Sequence, residues 1–128
     1  MFGKRLVLIV DDDASIGKLV HDMLILEGYE ALNADTPEDG LKIAFDKRPS
    51  LIILDHNLNS AMDGLDVLAK LRQNNATKMT PVLMLTGSAK TMNNVEKAFD
   101  LGVTAYLTKP FEIDRLTKKV ASLLEGKS

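Results

Sequence analysis

Residues 6–13 read Leu6-Val7-Leu8-Ile9-Val10-Asp11-Asp12-Asp13: an unbroken apolar run, then three acids. A continuous apolar run this short suits a strand buried on both faces, as crossover helices bury it, rather than a strand with one wet face. It is the longest such run in the chain and falls far short of a membrane span or a signal-peptide core. Two further runs have the same character, Leu51–Leu54 and Val82–Leu85. Tyr29–Ala34 and Thr104–Thr108 are weaker, with polar residues inside them, and suit the edges of a sheet.

Between these runs the apolar residues fall at helical spacing. Ile16, Leu19, Val20, Met23 and Leu24 follow i, i+3, i+4, i+7, i+8. Leu41, Ala44 and Phe45 repeat the stripe, as do Val67, Leu68 and Leu71, then Met92, Val95 and Phe99. Ile113, Leu116, Val120, Leu123 and Leu124 form the last one. Thr36-Pro37-Glu38-Asp39 combines a capping hydroxyl, a proline at the first helical position and two acids in the first turn. Gly28 and Gly102 each follow a helical stretch and suit its C-terminal cap.

Strict alternation of strand and helix predicts an α/β fold, a parallel sheet covered on both faces. Three strong central strands and two weak edge strands predict the doubly wound, flavodoxin-like order 2-1-3-4-5, a (βα)5 unit. At 128 residues and 14.0 kDa the chain is expected to be a single domain over 1–128, with its core at about 4–124 and no output domain. Its 16 basic and 18 acidic residues give a net charge of -2. That balance disfavours a nucleic-acid coat or a polybasic membrane patch. No cysteine is present, which excludes disulfides, thiolate metal sites and a cysteine nucleophile and fits a cytoplasmic location.

In a parallel sheet every strand ends on the same edge, and ligands bind there, where the strand order reverses. Asp11, Asp12 and Asp13 follow the first strand, Asp55 the third, Thr86 and Gly87 the fourth, and Lys109-Pro110 the fifth. Two carboxylates ~4 Å apart at an effective dielectric of ~20 repel by about 4 kcal/mol. Asp11, Asp12 and Asp55 together therefore call for a cation. An all-oxygen site open to water suits Mg²⁺. A carboxylate can also attack phosphorus to give an aspartyl phosphate. Lys109 and the Thr86 hydroxyl are placed to meet the phosphoryl oxygens.

In Val10-Asp11-Asp12, Leu54-Asp55, Leu85-Thr86-Gly87 and Lys109-Pro110-Phe111 the chain resembles the receiver domains of response regulators in two-component signalling. The resemblance covers residues 4–124. It implies that Asp55 is the phosphoacceptor, that Asp12 and Asp55 bind Mg²⁺ directly, that Asp11 reaches it through water, and that Asn57 adds its backbone carbonyl. It implies that Thr86 and Lys109 contact the phosphoryl group, that Tyr106 swings inward when Thr86 moves, and that the Lys109–Pro110 bond is cis. The implied partners are a sensor histidine kinase or histidine phosphotransfer domain and a downstream target protein. The kinase would dock at the first helix, starting near Ser15, and the Phe111 loop. The target would meet the surface of the fourth helix, fifth strand and fifth helix. Direct nucleic-acid or membrane binding is not implied, nor enzymatic activity beyond self-phosphorylation from a donor and auto-dephosphorylation.

The chain departs from the family in one loop. Asn59 stands where a proline is usual, and Asn57–Gly64 runs one residue longer. This leaves room for a degenerate receiver that binds partners without phosphorylation. A Mg²⁺-dependent phosphohydrolase with an aspartyl nucleophile is a further alternative, although Asn57 occupies the position where haloacid dehalogenase-like enzymes carry their acid/base aspartate. Asp13 reads as a helix-start acid and His21 as solvent-facing. His56 has no histidine partner at metal spacing and reads as a neighbour of the site. Asn57 and Ser88 occupy positions that tune phosphoryl lifetime in the family. The six methionines read as core filler.

Overall fold

A computed structural model describes residues 4–87 and 92–125, with the side chains of 92–94 excepted. The chain alternates β1 (Leu6–Val10), α1 (Ala14–Leu26), β2 (Glu30–Ala34), α2 (Pro37–Lys47), β3 (Leu51–Asp55), α3 (Gly64–Gln73), β4 (Val82–Thr86), α4 (Met92–Asp100), β5 (Ala105–Thr108) and α5 (Ile113–Glu125). All strand pairs are parallel, in the order β2-β1-β3-β4-β5 expected from the pattern of strong and weak runs.

Side chains alternate across a strand, so a strand buried on both faces feeds two cores. Val7, Ile9, Leu51, Ile53, Leu83 and Leu85 pack with α1 and α5 through Val20, Leu24, Leu116 and Val120. Leu8, Val10, Ile52, Leu54, Val82 and Met84 pack on the other face with Leu41, Ala44, Val67, Leu68, Leu71 and Ala98. Every residue of β3 and β4 is buried, whereas β2 and β5 are partly open, as their polar residues require at an edge.

The helix starts follow local chemistry. Asp13 caps α1, accepting from the Ser15 and Ile16 amides, which fulfils its reading as a helix-start acid. Thr36 caps α2 by accepting from the Asp39 amide, with Pro37 in the first turn. Asp63 and Asp66 form a reciprocal capping box at α3, which no sequence expectation covered. Gly28 and Gly102 have φ of +92° and +97°, the left-handed conformation that ends a helix cheaply only at glycine.

Two stripe residues depart from expectation. Leu19 is 46% exposed and Phe99 is 51% exposed. In α1 the inward positions are Gly17, Val20, Met23 and Leu24, which rotates Leu19 to the rim. Among the described side chains of α4 the buried one is Ala98, one residue and about 100° away from Phe99. The side chain of Met92 lies outside the described residues.

Gly64 ties α3 to the end of β3. Its amide donates to the His56 carbonyl at 3.0 Å, and a Cβ here would sit 2.6 Å from the Asp55 carbonyl oxygen and 2.8 Å from the His56 Cα. Both obstacles are backbone, which cannot rotate aside. Gly64→Ala is expected to cost about 1–3 kcal/mol through overpacking. A chemical-denaturation midpoint equal to that of the unsubstituted chain would refute it.

Candidate functional site

Parity and register bring the acids together. Asp11 continues the Val7–Ile9 face of β1, and its amide extends the ladder by donating to the Ala34 carbonyl at 3.1 Å. Asp55 ends the Leu51–Ile53 face of β3. Because Val10 pairs with Leu54, Asp11 and Asp55 stand side by side on neighbouring strands. Asp12 joins them: ligand oxygens of Asp11, Asp12 and Asp55 all lie within 4.8 Å of one another. Asp11 and Asp55 are buried, while Asp12 is half-buried and faces the opening.

Among the described residues, one cation faces the group. The Lys109 Nζ lies 3.4 Å from Asp55 Oδ1 and 3.7 Å from Asp11 Oδ2. It arrives from the end of β5, where the Lys109 amide donates to the Thr86 carbonyl and the Lys109–Pro110 bond is cis, as the resemblance implied. Backbone amides hold the remaining oxygens. Asp13 donates to Asp11 Oδ1 at 2.9 Å, Asn57 to Asp55 Oδ1 at 3.2 Å, and Asn59 to Asp12 Oδ2 at 3.0 Å. The lengthened loop is therefore anchored at the site by the residue standing where proline was expected.

Asp11 Oδ2 is buried and has no hydrogen-bond partner among the described residues. This oxygen meets the Lys109 Nζ at 3.7 Å, beyond hydrogen-bond length, and stands beside two more carboxylates; that is the environment of a hard cation with oxygen ligands, so the residues present fit a divalent metal. Burial pushes the Asp11 carboxyl up to about 6, and the Asp55 charge adds to this against the Asp13 amide and Lys109.

A second group sits on the opposite face. Thr86, 1% exposed, shares the face of Met84. Its side chain hydrogen-bonds the Tyr106 hydroxyl, and β5 places Tyr106 opposite Met84. The same hydroxyl lies 2.6 Å from His56 Nδ1. His56 is 3% exposed, and burial holds its imidazole below the usual range, with Asp63 and Asp55 pulling the other way. Its burial and its bond to Tyr106 were missed in the sequence. The signal was parity: if Asp55 faces one core, the next residue faces the other, where Thr86 and Tyr106 point. His21 is half-buried, with Nδ1 2.5 Å from Asn33 Oδ1. Ser88 lies outside the described residues. Gly87 leaves ordinary contact distance to the Lys109 stem, 3.5 Å from a notional Cβ.

The family defined by this fold and edge is that of the response regulator receiver domain, which matches over residues 7–121, and the chain belongs to it. It is 37% identical over 118 residues to the DNA-binding dual master transcriptional regulator RpaA of Synechocystis sp., covering 92% of this chain and 48% of that protein. It is 32% identical over 124 residues to the phosphate regulon transcriptional regulatory protein PhoB of Pseudomonas aeruginosa, covering 97% and 53%. The chain thus spans about half the length of these curated relatives. Among solved structures, chemotaxis protein CheY4 of Vibrio cholerae superposes with a TM-score of 0.87 at 32% identity, covering 95% of this chain and all of that one. A CheY-like receiver domain protein of Methanospirillum hungatei gives 0.88 at 30% identity, covering 97% and 96%.

The raised Asp11 value fixes a sign. The ordinary value is 3.8, so between that and about 6 the folded chain keeps a proton that the unfolded chain has lost. Without divalent metal, stability falls as pH rises through this window, by up to about 3 kcal/mol. Asp11→Asn should flatten that dependence and raise the neutral-pH melting temperature of chelator-treated protein. Parallel pH profiles for the two proteins would contradict the assignment.

Proposed function

We propose that this chain is a phosphorylation-dependent switch in which Asp55 accepts a phosphoryl group from a histidine kinase or a histidine phosphotransfer domain. The observation that carries this reading is the convergence of Asp11, Asp12 and Asp55 with Lys109 at the C-terminal edge of the sheet, between β1 and β3, where the strand order reverses. A carboxylate oxygen of Asp55 attacks phosphorus, the donor's nitrogen–phosphorus bond breaks, and the electron pair leaves with the imidazole.

The residues divide the work. Asp11, Asp12 and Asp55 would hold Mg²⁺ together with the Asn57 backbone carbonyl. When bound, Mg²⁺ neutralises charge on the phosphoryl oxygens. Lys109, already paired with Asp55 and Asp11, neutralises the charge that remains. The Thr86 hydroxyl, buried at the end of β4, meets a phosphoryl oxygen, and Tyr106 reads its displacement toward the α4-β5-α5 surface.

The docking faces have support of their own. Leu19 and Leu26 are exposed on α1, and a cavity of about 430 Å³ lined by Ile16, Leu19, Lys109, Pro110 and Phe111 adjoins the site. This apolar rim suits a donor helix. Phe99 is exposed beside Tyr106, on the face that would meet a target protein. Among the described residues no helix is long and apolar enough to cross a membrane.

A small-molecule phosphodonor with Mg²⁺ tests the reading by intact mass. The expected result is a gain of one phosphoryl group, lost in Asp55→Asn and lost when Mg²⁺ is chelated. No gain would favour a receiver that binds partners without phosphorylation. Sustained turnover of many phosphate esters would favour a hydrolase. Millimolar Mg²⁺ should also raise the melting temperature of the native chain, through preferential binding to the folded state, and much less that of Asp11→Asn.

A further inference from the structure

The hydroxyl of Tyr106 is held from two sides. Thr86 hydrogen-bonds it from β4, and the His56 Nδ1 lies 2.6 Å away, at the end of β3. Strands in a sheet lie ~4.8 Å apart, so His56 and Tyr106 bridge two strand spacings and meet across β4. They can do so because β4 offers only the short Thr86 side chain at that height. The backbone supports the reach: the His56 amide donates to the Leu85 carbonyl at 2.8 Å, and its own carbonyl accepts from Gly64. The rings stand 6.3 Å apart at 58°, tilted so that nitrogen meets hydroxyl rather than face meeting face.

Burial makes this bond consequential. His56 is 3% exposed, so an outward-turned Tyr106 would leave a buried ring nitrogen without its partner. Such a nitrogen carries a desolvation cost that a surface histidine escapes. Tyr106 itself is half-buried, with the exposed Phe99 ring 6.4 Å away. The ring is therefore open on one side, and the bond to His56 holds the phenol against turning that way.

We propose that His56 is the positioning residue for Tyr106: its imidazole latches the phenol inward and thereby sets the fraction of molecules whose α4-β5 surface is in the inward state before any phosphoryl group arrives. The latch does not need phosphorylation. Its coupling to Asp55 rests on the reading of Asp55 as phosphoacceptor and makes that reading finer. If Thr86 turns toward a phosphoryl oxygen, Tyr106 loses one hydrogen bond and keeps the other. His56 then prevents the phenol from being released as Thr86 leaves.

The chain contains no tryptophan and two tyrosines, so in a Tyr29→Phe background the phenol signals come from Tyr106 alone. In that background, His56→Phe keeps an aromatic ring and removes the bond, while His56→Asn places an amide near the former Nδ1. Loss of one hydrogen bond predicts that tetranitromethane nitrates Tyr106 about three- to tenfold faster in His56→Phe, with fluorescence quenching by acrylamide rising alongside. His56→Asn should return most of the protection. Unchanged nitration and quenching in a folded His56→Phe protein would overturn the latch, as would failure of His56→Asn to restore protection. Should His56→Phe fail to fold, Tyr106→Phe decides by NMR. The His56 ring ¹⁵N shifts must move on losing the hydroxyl, and unmoved shifts overturn the proposal. These readouts use unphosphorylated protein, so a failure to label Asp55 would defeat the switch while leaving the latch to stand or fall separately.

Discussion

Like charges crowded at the edge of a buried sheet are the constraint on which the rest of this structure depends. Asp11 and Asp55 are drawn out of water side by side, with Asp12 at the rim, and Lys109 supplies one positive charge against them. The chain leaves this imbalance partly unresolved, since Asp11 Oδ2 is buried without a hydrogen-bond partner among the described residues. Apolar residues there would pack more cheaply. Two apolar cores beneath the edge support it, and a divalent cation would relieve the crowding.

The sheet connects this charged pocket to a second, nearly uncharged group through the alternation of its side chains. Asp55 belongs to the α1/α5 face, and His56 turns to the other, where Thr86 and Tyr106 stand. A change at Asp55 is therefore one peptide unit from His56, and Thr86 lies at the end of the neighbouring strand, opposite Thr108. Displacement of His56 or Thr86 would disturb the hydrogen bonds of the half-buried Tyr106 hydroxyl.

The architecture was legible in the sequence because three central runs are apolar on both faces and two edge runs are not. Burial of β3 and β4 against the open faces of β2 and β5 has the same cause. Stripe membership was less legible. Leu19 and Phe99 obey helical spacing, yet helix rotation about its axis depends on what it packs against, and Gly17 and Ala98 take the inner positions. The loop from Asn57 to Gly64 was visible as a departure. Its attachment to Asp12 through the Asn59 amide was not, because a backbone donor has no signature in residue type.

By itself the sequence determined the alternation of elements, the strand order and the set of polar residues that end the strands, because periodicity and chain connectivity permit few alternatives. Tertiary structure decided what those residues do to one another. Lys109 shared between two carboxylates, the crowding of Asp11 against Asp55, and the bond from His56 across β4 to Tyr106 each join positions far apart in the chain. Their energies depend on distances of a few ångströms and on exclusion of water. Only the packed sheet sets both.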